Sequence, residues 1–539
     1  MRKMAVACIV FAMLASSLQV WTAEPDGALD VVTGIPGRSD DEDKVEARGL
    51  NGVVVWETTL GGRSQDVPHA LSPTDDGCYI VVGETYSYDR GGGDAWLVKV
   101  DADGRELWNV SLGGGSSDYG FAGVQTSDGG YVVTGGTASY GAGGHDAWLV
   151  KVDADGRELW NHTYGGESWD QGYAVRETAE GGYVVMGGTM SYCWGPNDYW
   201  LIRTDGGGRE LWNRTYGRNG RDWGYAVIET GDGGYLFTGG TDVSLNAGHV
   251  LDLGLYKTDG DGDLEWRRLY NRPVGLGHWD EGYDVRRTAD GGYIVAGLAH
   301  TTVSGGWDVS GGGDGWLIKT DAAGAREWDL VLGGTMTDMF TTALPTPDGG
   351  YIVAGSTYSY ARDDEDAWVI KVDESGATMW DVTLPGGMTG PAALGHILQV
   401  TADGGYLVAC TTRTMGAGSL DVWLVKLMEP TLHIETTVDG GLAVRVVNTG
   451  GARVNVSWTF EVLLEGFLSG EWYTEGSIPL LEAGGEAAIQ APVIAGVGVA
   501  TVRVTADGIG KTDRFLLLGS RFLPLSPCPA RVSRWPGAQ

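Results

Sequence analysis

Cysteine is scarce in this chain. Five occur in 539 residues, at Cys8, Cys78, Cys193, Cys410 and Cys528. None are adjacent and no C-x-x-C pair is present, so no disulfide framework is expected. Positive charge is also short, with 37 basic against 71 acidic residues and a net charge of −34. That balance argues against nucleic acid and anionic membrane surfaces as partners. It suits a solvated exterior, a saline setting or contact with divalent cations. Long apolar runs are missing after Leu18, so no membrane insertion is expected of the body of the protein. Helical periodicity is missing between Asn51 and Leu427. So are the G-x-S-x-G, H-E-x-x-H and Walker signatures. With no catalytic motif, the expectation is a protein that is not an enzyme and carries no cofactor.

What the chain has instead is a repeat. The stretch Asp128–Tyr164 reads DGGYVVTGGTASYGAGGHDAWLVKVDADGRELWNHTY and recurs along the sequence. Its DGGY anchor falls at Tyr79, Tyr131, Tyr183, Tyr235, Tyr293, Tyr351 and Tyr406. Its D-x-W-L-x-K anchor falls at Trp96, Trp148, Trp200, Gly254 (where Trp is replaced), Trp316, Trp368 and Trp423. Both give seven copies, with a core period of 52 residues (148 − 96). In the second copy, strands are expected at Phe121–Thr126, Tyr131–Thr134, Trp148–Val152 and Glu158–Tyr164, with turns at Asp128-Gly129-Gly130 and Asp153-Ala154-Asp155-Gly156. A lone four-stranded sheet cannot cover both faces, so the copies must stack, and seven can close into a ring. The fourth-strand Trp follows every copy except the last. The missing strand lies at the other end, where Val53-Val54-Val55-Trp56 precedes Leu60-Gly61-Gly62. The expected fold is an all-β seven-bladed propeller closed by an N-terminal strand, followed by a small β-sandwich.

The remaining segments follow from composition. Residues 1–23, with Arg2 and Lys3 before an apolar run, read as a signal peptide, cleaved near Ala15–Ser17 or at Ala23, or retained as an anchor. A secreted or cell-surface location follows. Residues 24–50 read as an acidic linker, 51–428 as the propeller, 430–520 as an immunoglobulin-like sandwich and 521–539 as a disordered tail.

The segment V-D-A-D-G-R-E-L-W, at Val100–Trp108 and again at Val152–Trp160, resembles the D-x-x-G-x-x-x-W repeats of quinoprotein-like propellers. The whole unit is similar to the uncharacterised propeller repeats of archaeal and bacterial surface or secreted proteins. The resemblance implies the fold and little about activity. Quinoprotein dehydrogenases have eight blades, a vicinal cysteine pair and dedicated calcium ligands; this chain departs from that pattern with seven blades and no adjacent cysteines.

Residues that recur in every blade are best explained by the blade. The Asp two before each third-strand Trp (Asp94, Asp146, Asp198, Asp252, Asp314, Asp366, Asp421) is expected to accept backbone N–H bonds where a loop enters the strand. The D-x-D-G turns lack the Gly and Glu of a calcium-binding EF-hand loop, so turn chemistry accounts for them, with weak Ca²⁺ binding still admitted. The longer loops all fall on one face of the disc. There Trp169, Asp170, Asp222, Trp223, Trp279, Asp280 and Trp307 make a candidate ligand-binding set, with aromatic rings for sugar faces and carboxylates for hydroxyls. The competing reading has these aromatics filling gaps between blades. The repeat stretches at the fifth blade and brings in His278, Asp280, His300 and Asp308, a candidate metal or acid–base group, with His249 in the preceding loop. Sequons at Asn109, Asn161, Asn213 and Asn455 are candidate glycosylation sites, or duplicates of one edge strand. The expected function is binding or scaffolding, with an extracellular or cell-surface glycan or protein as partner. The alternative is a cation-dependent polysaccharide-active enzyme at the ring mouth near the fifth blade.

Overall fold

Turn chemistry cuts each repeat into four strands. In the second blade Asp128 Oδ1 accepts from Gly130 N at 2.9 Å and Thr126 Oγ1 at 2.6 Å, while Gly129 takes φ 83°. Asp153 Oδ1 accepts from Asp155 N and Arg157 N, both at 2.9 Å, in the second turn. Between these turns run Asp118–Gln125, Tyr131–Thr137, Asp146–Val152 and Glu158–Tyr164, paired in that order. The computed structural model describes residues 53–88, 91–217, 220–243, 250–272, 279–300, 312–361, 365–388 and 397–429, together with the backbone of the strands between 432 and 524. No helix occurs among them. The expected signal segment and linker lie outside the described residues.

The first strand begins earlier than its hydrophobic pattern suggests, at Asp118 rather than Phe121. A bulge between Gly120 and Ala122 makes Phe121 an extra residue, which breaks the alternation. The strand opposite accommodates it with glycine. A Cβ added at Gly135 would lie 1.7 Å from the Tyr119 carbonyl oxygen.

Seven such sheets form the ring, and the first strands of successive blades adjoin one another around its axis. The seventh blade is built from both ends of the propeller segment. Its first-strand position is split into Gly387–Met388 and Leu398–Val400, both paired with Tyr406–Thr412. Its outer strand is Val53–Leu60, antiparallel to Asp421–Met428 from Val53↔Met428 to Leu60↔Val422. The N-terminal strand thus closes the ring, as the Trp count requires.

Blades adhere through the motifs that recur. The fourth-strand Trp lies over the D-x-x-G turn of the next blade, so that a Cβ added at Gly156 would come within 2.9 Å of Trp108. The same ring sits 5.8 Å from Tyr131 of the next DGGY. Trp160, Trp212, Trp328 and Trp380 repeat the tyrosine contact with Tyr183, Tyr235, Tyr351 and Tyr406. Trp56, on the N-terminal strand, packs on Gly104 in the same way and joins the seventh blade to the first.

In six blades a lysine on the third strand reaches the DGGY aspartate. Lys319 Nζ lies 2.7 Å from Asp290 and 2.8 Å from Glu327. Lys99, Lys151, Lys257, Lys371 and Lys426 reach the DGGY aspartates Asp76, Asp128, Asp232, Asp348 and Asp403. In the third blade Arg203 takes the place of lysine and donates to the Gly181 carbonyl at 2.7 Å. After the propeller, Leu432–Val438, Leu442–Asn448 and Glu486–Gln490 form a three-stranded sheet. Val454–Gly466, Gly470–Leu481, Gly496–Ala506, Ile509–Gly519 and Arg521–Pro524 form a five-stranded one, with Val454–Gly466 between Gly470–Leu481 and Gly496–Ala506.

Two outcomes follow. Deleting Val53–Leu60 exposes the Asp421–Met428 edge and removes Trp56 from Gly104, so the shortened chain should associate and melt lower; light scattering after gel filtration, with a thermal melt, reads both. The second concerns acid. Lys319, then Thr288, hold the Asp290 carboxyl down from 3.8 to about 2. The unfolded chain therefore binds more protons between those values, and stability should fall as pH drops from roughly 4 towards 2. Lys319→Met should make that slope shallower in melts across the window.

Candidate functional site

In the first six blades an aspartate at the start of the first strand fastens the loop that enters the blade. Asp170 Oδ2 accepts from Gly166 N at 2.9 Å and Ser191 Oγ at 2.6 Å, and Oδ1 accepts from Thr189 Oγ1 at 2.5 Å. Asp118 and Asp338 make the same set of bonds. Asp222 accepts from Asp242 N at 3.2 Å, and Asp280 from Arg272 N at 3.0 Å and His300 N at 2.8 Å. All of these carboxylates are fully buried. Asp170, Asp222 and Asp280, expected at a binding surface, thus direct their oxygens into the blade framework. The aspartates before the third strand work similarly; Asp146 Oδ2 accepts from Ala142 N and Gly143 N at 2.8 and 3.0 Å. Glycine follows from this crowding. A Cβ at Gly165 would lie 2.3 Å from Asp146 Oδ1 and 2.7 Å from Asp170 Oδ2, at φ 151°.

The aromatics expected beside those acids fall into two different places. Trp169 and Trp279 occupy one slot, just before the first strand, and each bridges to the residue or strand preceding it around the ring, His145 and Leu251. Trp223 lies two residues further along the repeat, 6.5 Å from Tyr173 and nearer the ring axis. Trp169 and Trp279 are separated by the whole fourth blade, so the three do not converge. Trp307, His278, Asp308 and His249 lie outside the described residues.

One aromatic group does assemble on the long-loop face, over the second and third blades. Tyr119 stacks on His145 at 5.5 Å between ring centroids, and His145 on Trp169 at 4.1 Å. Burial pushes His145 below the ordinary imidazole value, so the ring is neutral near pH 7. Trp169 is 42 % exposed. Its carbonyl accepts from Met190 N at 2.9 Å, at the start of the loop that carries Tyr192 and Trp194. Trp194 is 84 % exposed, yet its backbone N–H is held by Asp198 Oδ2 at 2.9 Å.

Inside the ring, the first strands carry residues that motif reading passed over. His69, Phe121, Tyr173, Tyr225 and Tyr283 form an arc from blade to blade, each ring 5.2 to 5.6 Å from the next. Beside it Glu281 accepts from the Tyr283 hydroxyl at 2.9 Å, and burial pushes its carboxyl up to about 7. Burial does the same to Glu84, also to about 7. The signal available in the sequence was variation at aligned positions of the first strand, where Glu281 stands against Val67, Tyr119, Gln171, Trp223 and Met339.

Among the described residues no group of three or more His, Cys, Asp or Glu side chains is arranged to hold a metal ion. His300, expected in such a group, is buried with its backbone N–H on Asp280. The sequon asparagines have partners inside the blade. Asn213 Oδ1 accepts from Trp200 Nε1 at 3.2 Å, and its Nδ2 donates to Glu210 at 2.6 Å. Asn109 does the same with Trp96 and Glu106, and Asn161 Nδ2 donates to Glu158. In the fifth and sixth blades Asp329 and Asp381 replace the asparagine and accept from Trp316 and Trp368 at 3.0 Å. Asn455 lies on the strand Val454–Gly466.

No family model and no curated protein matches the chain. Solved structures with a similar outline include Sqt1 from Chaetomium thermophilum, at 10 % identity and TM-score 0.38, covering 86 % of this chain and 99 % of that one. A GH32 β-fructofuranosidase from Bombyx mori, in complex with sucrose, has 11 % identity and TM-score 0.27 over 88 % of both chains. An endo-1,5-α-L-arabinanase from Thermotoga petrophila has 10 % identity and TM-score 0.27, over 68 % of this chain and 99 % of that one. These correct the expectation that the chain is not an enzyme, because similar outlines include carbohydrate-cleaving proteins and the missing motifs exclude nothing. At such scores they carry no activity to this chain.

The indole contact gives a test. Asn213→Asp should leave stability within about 0.5 kcal/mol, since Asp329 and Asp381 already fill this position, whereas Asn213→Leu should cost about 1 kcal/mol by stranding the Trp200 N–H. Urea denaturation of both variants checks it.

Proposed function

We propose that the protein binds carbohydrate on the long-loop face of the propeller, over the second and third blades. The observation that carries this reading is Trp194, an indole held almost entirely in solvent by a loop whose backbone is pinned to Asp198. Burying a large apolar ring is favourable, so a ring displayed on a fastened loop is available to a partner. Trp169, supported from below by His145 and Tyr119, offers a second flat surface, and the exposed Glu167 beside it can accept hydroxyl hydrogens. A glycan of an extracellular or cell surface is the partner this chemistry fits. A second reading, cleavage of the bound glycan, draws on Glu281, whose carboxyl, raised by burial to about 7, is in part protonated at neutrality and could act as a general acid.

The test is affinity electrophoresis and calorimetry of the full chain against a polysaccharide panel. Trp194→Ala and Trp169→Ala should each weaken binding by roughly tenfold or more, as expected for removing an aromatic platform. Trp194→Ala should leave the melting curve in place, because that ring is exposed. Binding that neither substitution affects, or no binding at all, would overturn the proposal. Release of reducing ends that Glu281→Gln abolishes would add cleavage to recognition.

A further inference from the structure

The aromatic arc inside the ring ends at an acid. Tyr173, Tyr225 and Tyr283 come from the first strands of three consecutive blades, and their rings pack 5.6 and 5.3 Å apart. Phe121 and Trp223 pack against this group. Both are only half-buried, so solvent reaches the arc from the ring axis. Glu281 opens the strand Glu281–Arg287, two residues before Tyr283. Its Oε2 accepts from the Tyr283 hydroxyl at 2.9 Å. The other oxygen has no hydrogen-bond partner among the described residues, and neither has the Tyr225 hydroxyl. Glu281 and Tyr225 are nevertheless each only 8 % exposed. Gly240 of the fourth blade lies behind the acid, where a Cβ would come within 3.1 Å of Glu281 Cγ. That blade makes room for the glutamate by having no side chain of its own.

The blade itself needs no acid here, since Val67, Gln171, Trp223 and Met339 fill the aligned position elsewhere. Nor does a basic side chain accompany it. Burial raises the Glu281 carboxyl, and the groups that act on it beside burial are the Tyr283 hydroxyl and the Asp280 carboxylate. A buried carboxyl without a countercharge costs stability unless something offsets it. The surrounding ring faces carry negative potential, which favours a cation that is broad and weakly hydrated. A metal ion would need more oxygen ligands than one carboxylate and phenol groups supply. An ammonium ion needs only the one acid and the ring faces, and the net charge of −34 favours its approach. We infer that Glu281, Tyr283, Tyr225 and Trp223 form a binding site for a small organic ammonium ion, with the cation over the rings and its charge against the Glu281 carboxylate. The site belongs to the fourth and fifth blades at the ring axis, so it does not rest on the glycan platform of the second and third. It gives Glu281 a binding role that requires no cleavage.

Calorimetry of the full chain with choline, ethanolamine and the uncharged carbon analogue of choline, at constant ionic strength, tests it. At least one of the two ammonium ions should bind one to one, and the uncharged analogue should bind about tenfold more weakly or not at all. Choline alone would identify a quaternary ammonium site, ethanolamine alone a primary one, and both a general ammonium site. Glu281→Gln keeps an acceptor for the Tyr283 hydroxyl and should weaken binding about tenfold or more, the scale of one charged partner. Trp223→Met introduces the residue that the sixth blade already has at this position, Met339, and should weaken binding about fivefold by removing a ring face. Thermal melts show whether both variants stay folded. Trp194→Ala should leave the affinity unchanged. An uncharged analogue that binds as tightly as the ammonium ions would overturn the inference. So would ammonium affinity that survives Glu281→Gln, loss of binding in Trp194→Ala, or no ammonium binding at all.

Discussion

The structure depends on a tryptophan lying across a boundary. Each blade has two faces and can bury only one against its own neighbour on that side, so the ring holds only if every blade supplies cover to the next. The fourth-strand Trp supplies it at the rim, with its ring over the glycine of the following D-x-x-G turn and against the DGGY tyrosine. Both partners are constrained by this single contact. The glycine must lack a side chain because the indole occupies that space, as the 2.9 Å approach at Gly156 shows. The tyrosine must be large and flat to meet the other edge. Three motifs that look separate in the sequence are thus one interface. Trp56 makes that contact for the last joint, which is why the first described strand belongs to the final blade.

The fold was legible because such contacts repeat at a fixed interval. Seven copies of DGGY and D-x-W-L-x-K fixed the blade number, and the unmatched Trp56 told where the ring closes. The first strand was read less well, since the bulge at Phe121 shifts alternation by one and hides Asp118–Gly120. The candidate site was harder still, for the opposite reason. Asp170, Asp222 and Asp280 stood out by recurring beside aromatics, and recurrence turned out to mark the fastening of the loop that enters the blade. Glu281 and Asp284 recur nowhere, and the arginine of Arg176 returns only at Arg286. They become visible only when equivalent positions of the blades are compared, and their proximity is made by ring closure over more than a hundred residues.

The acidic character of the chain also has a local explanation in the repeat. Nearly every blade spends an acid at four positions: before the first strand, in DGGY, before the third strand and in D-x-x-G. In all four the carboxylate caps backbone N–H groups of its own loop or turn, and in DGGY it also meets the third-strand lysine. One lysine per blade balances one of the four. A surplus of negative charge is therefore a consequence of this turn chemistry multiplied by seven, and needs no saline setting or bound cation to account for it.

The two ends of the ring differ in what the repeat leaves over. On the long-loop face the repeat satisfies its own carboxylates, and what remains for a partner is aromatic surface, most of all Trp194. At the tight-turn end the inner positions are small or apolar in most blades, so a charge there has no role in the generic blade. Asp284 in place of an alanine would be costly alone, and Arg286 is enough to offset it.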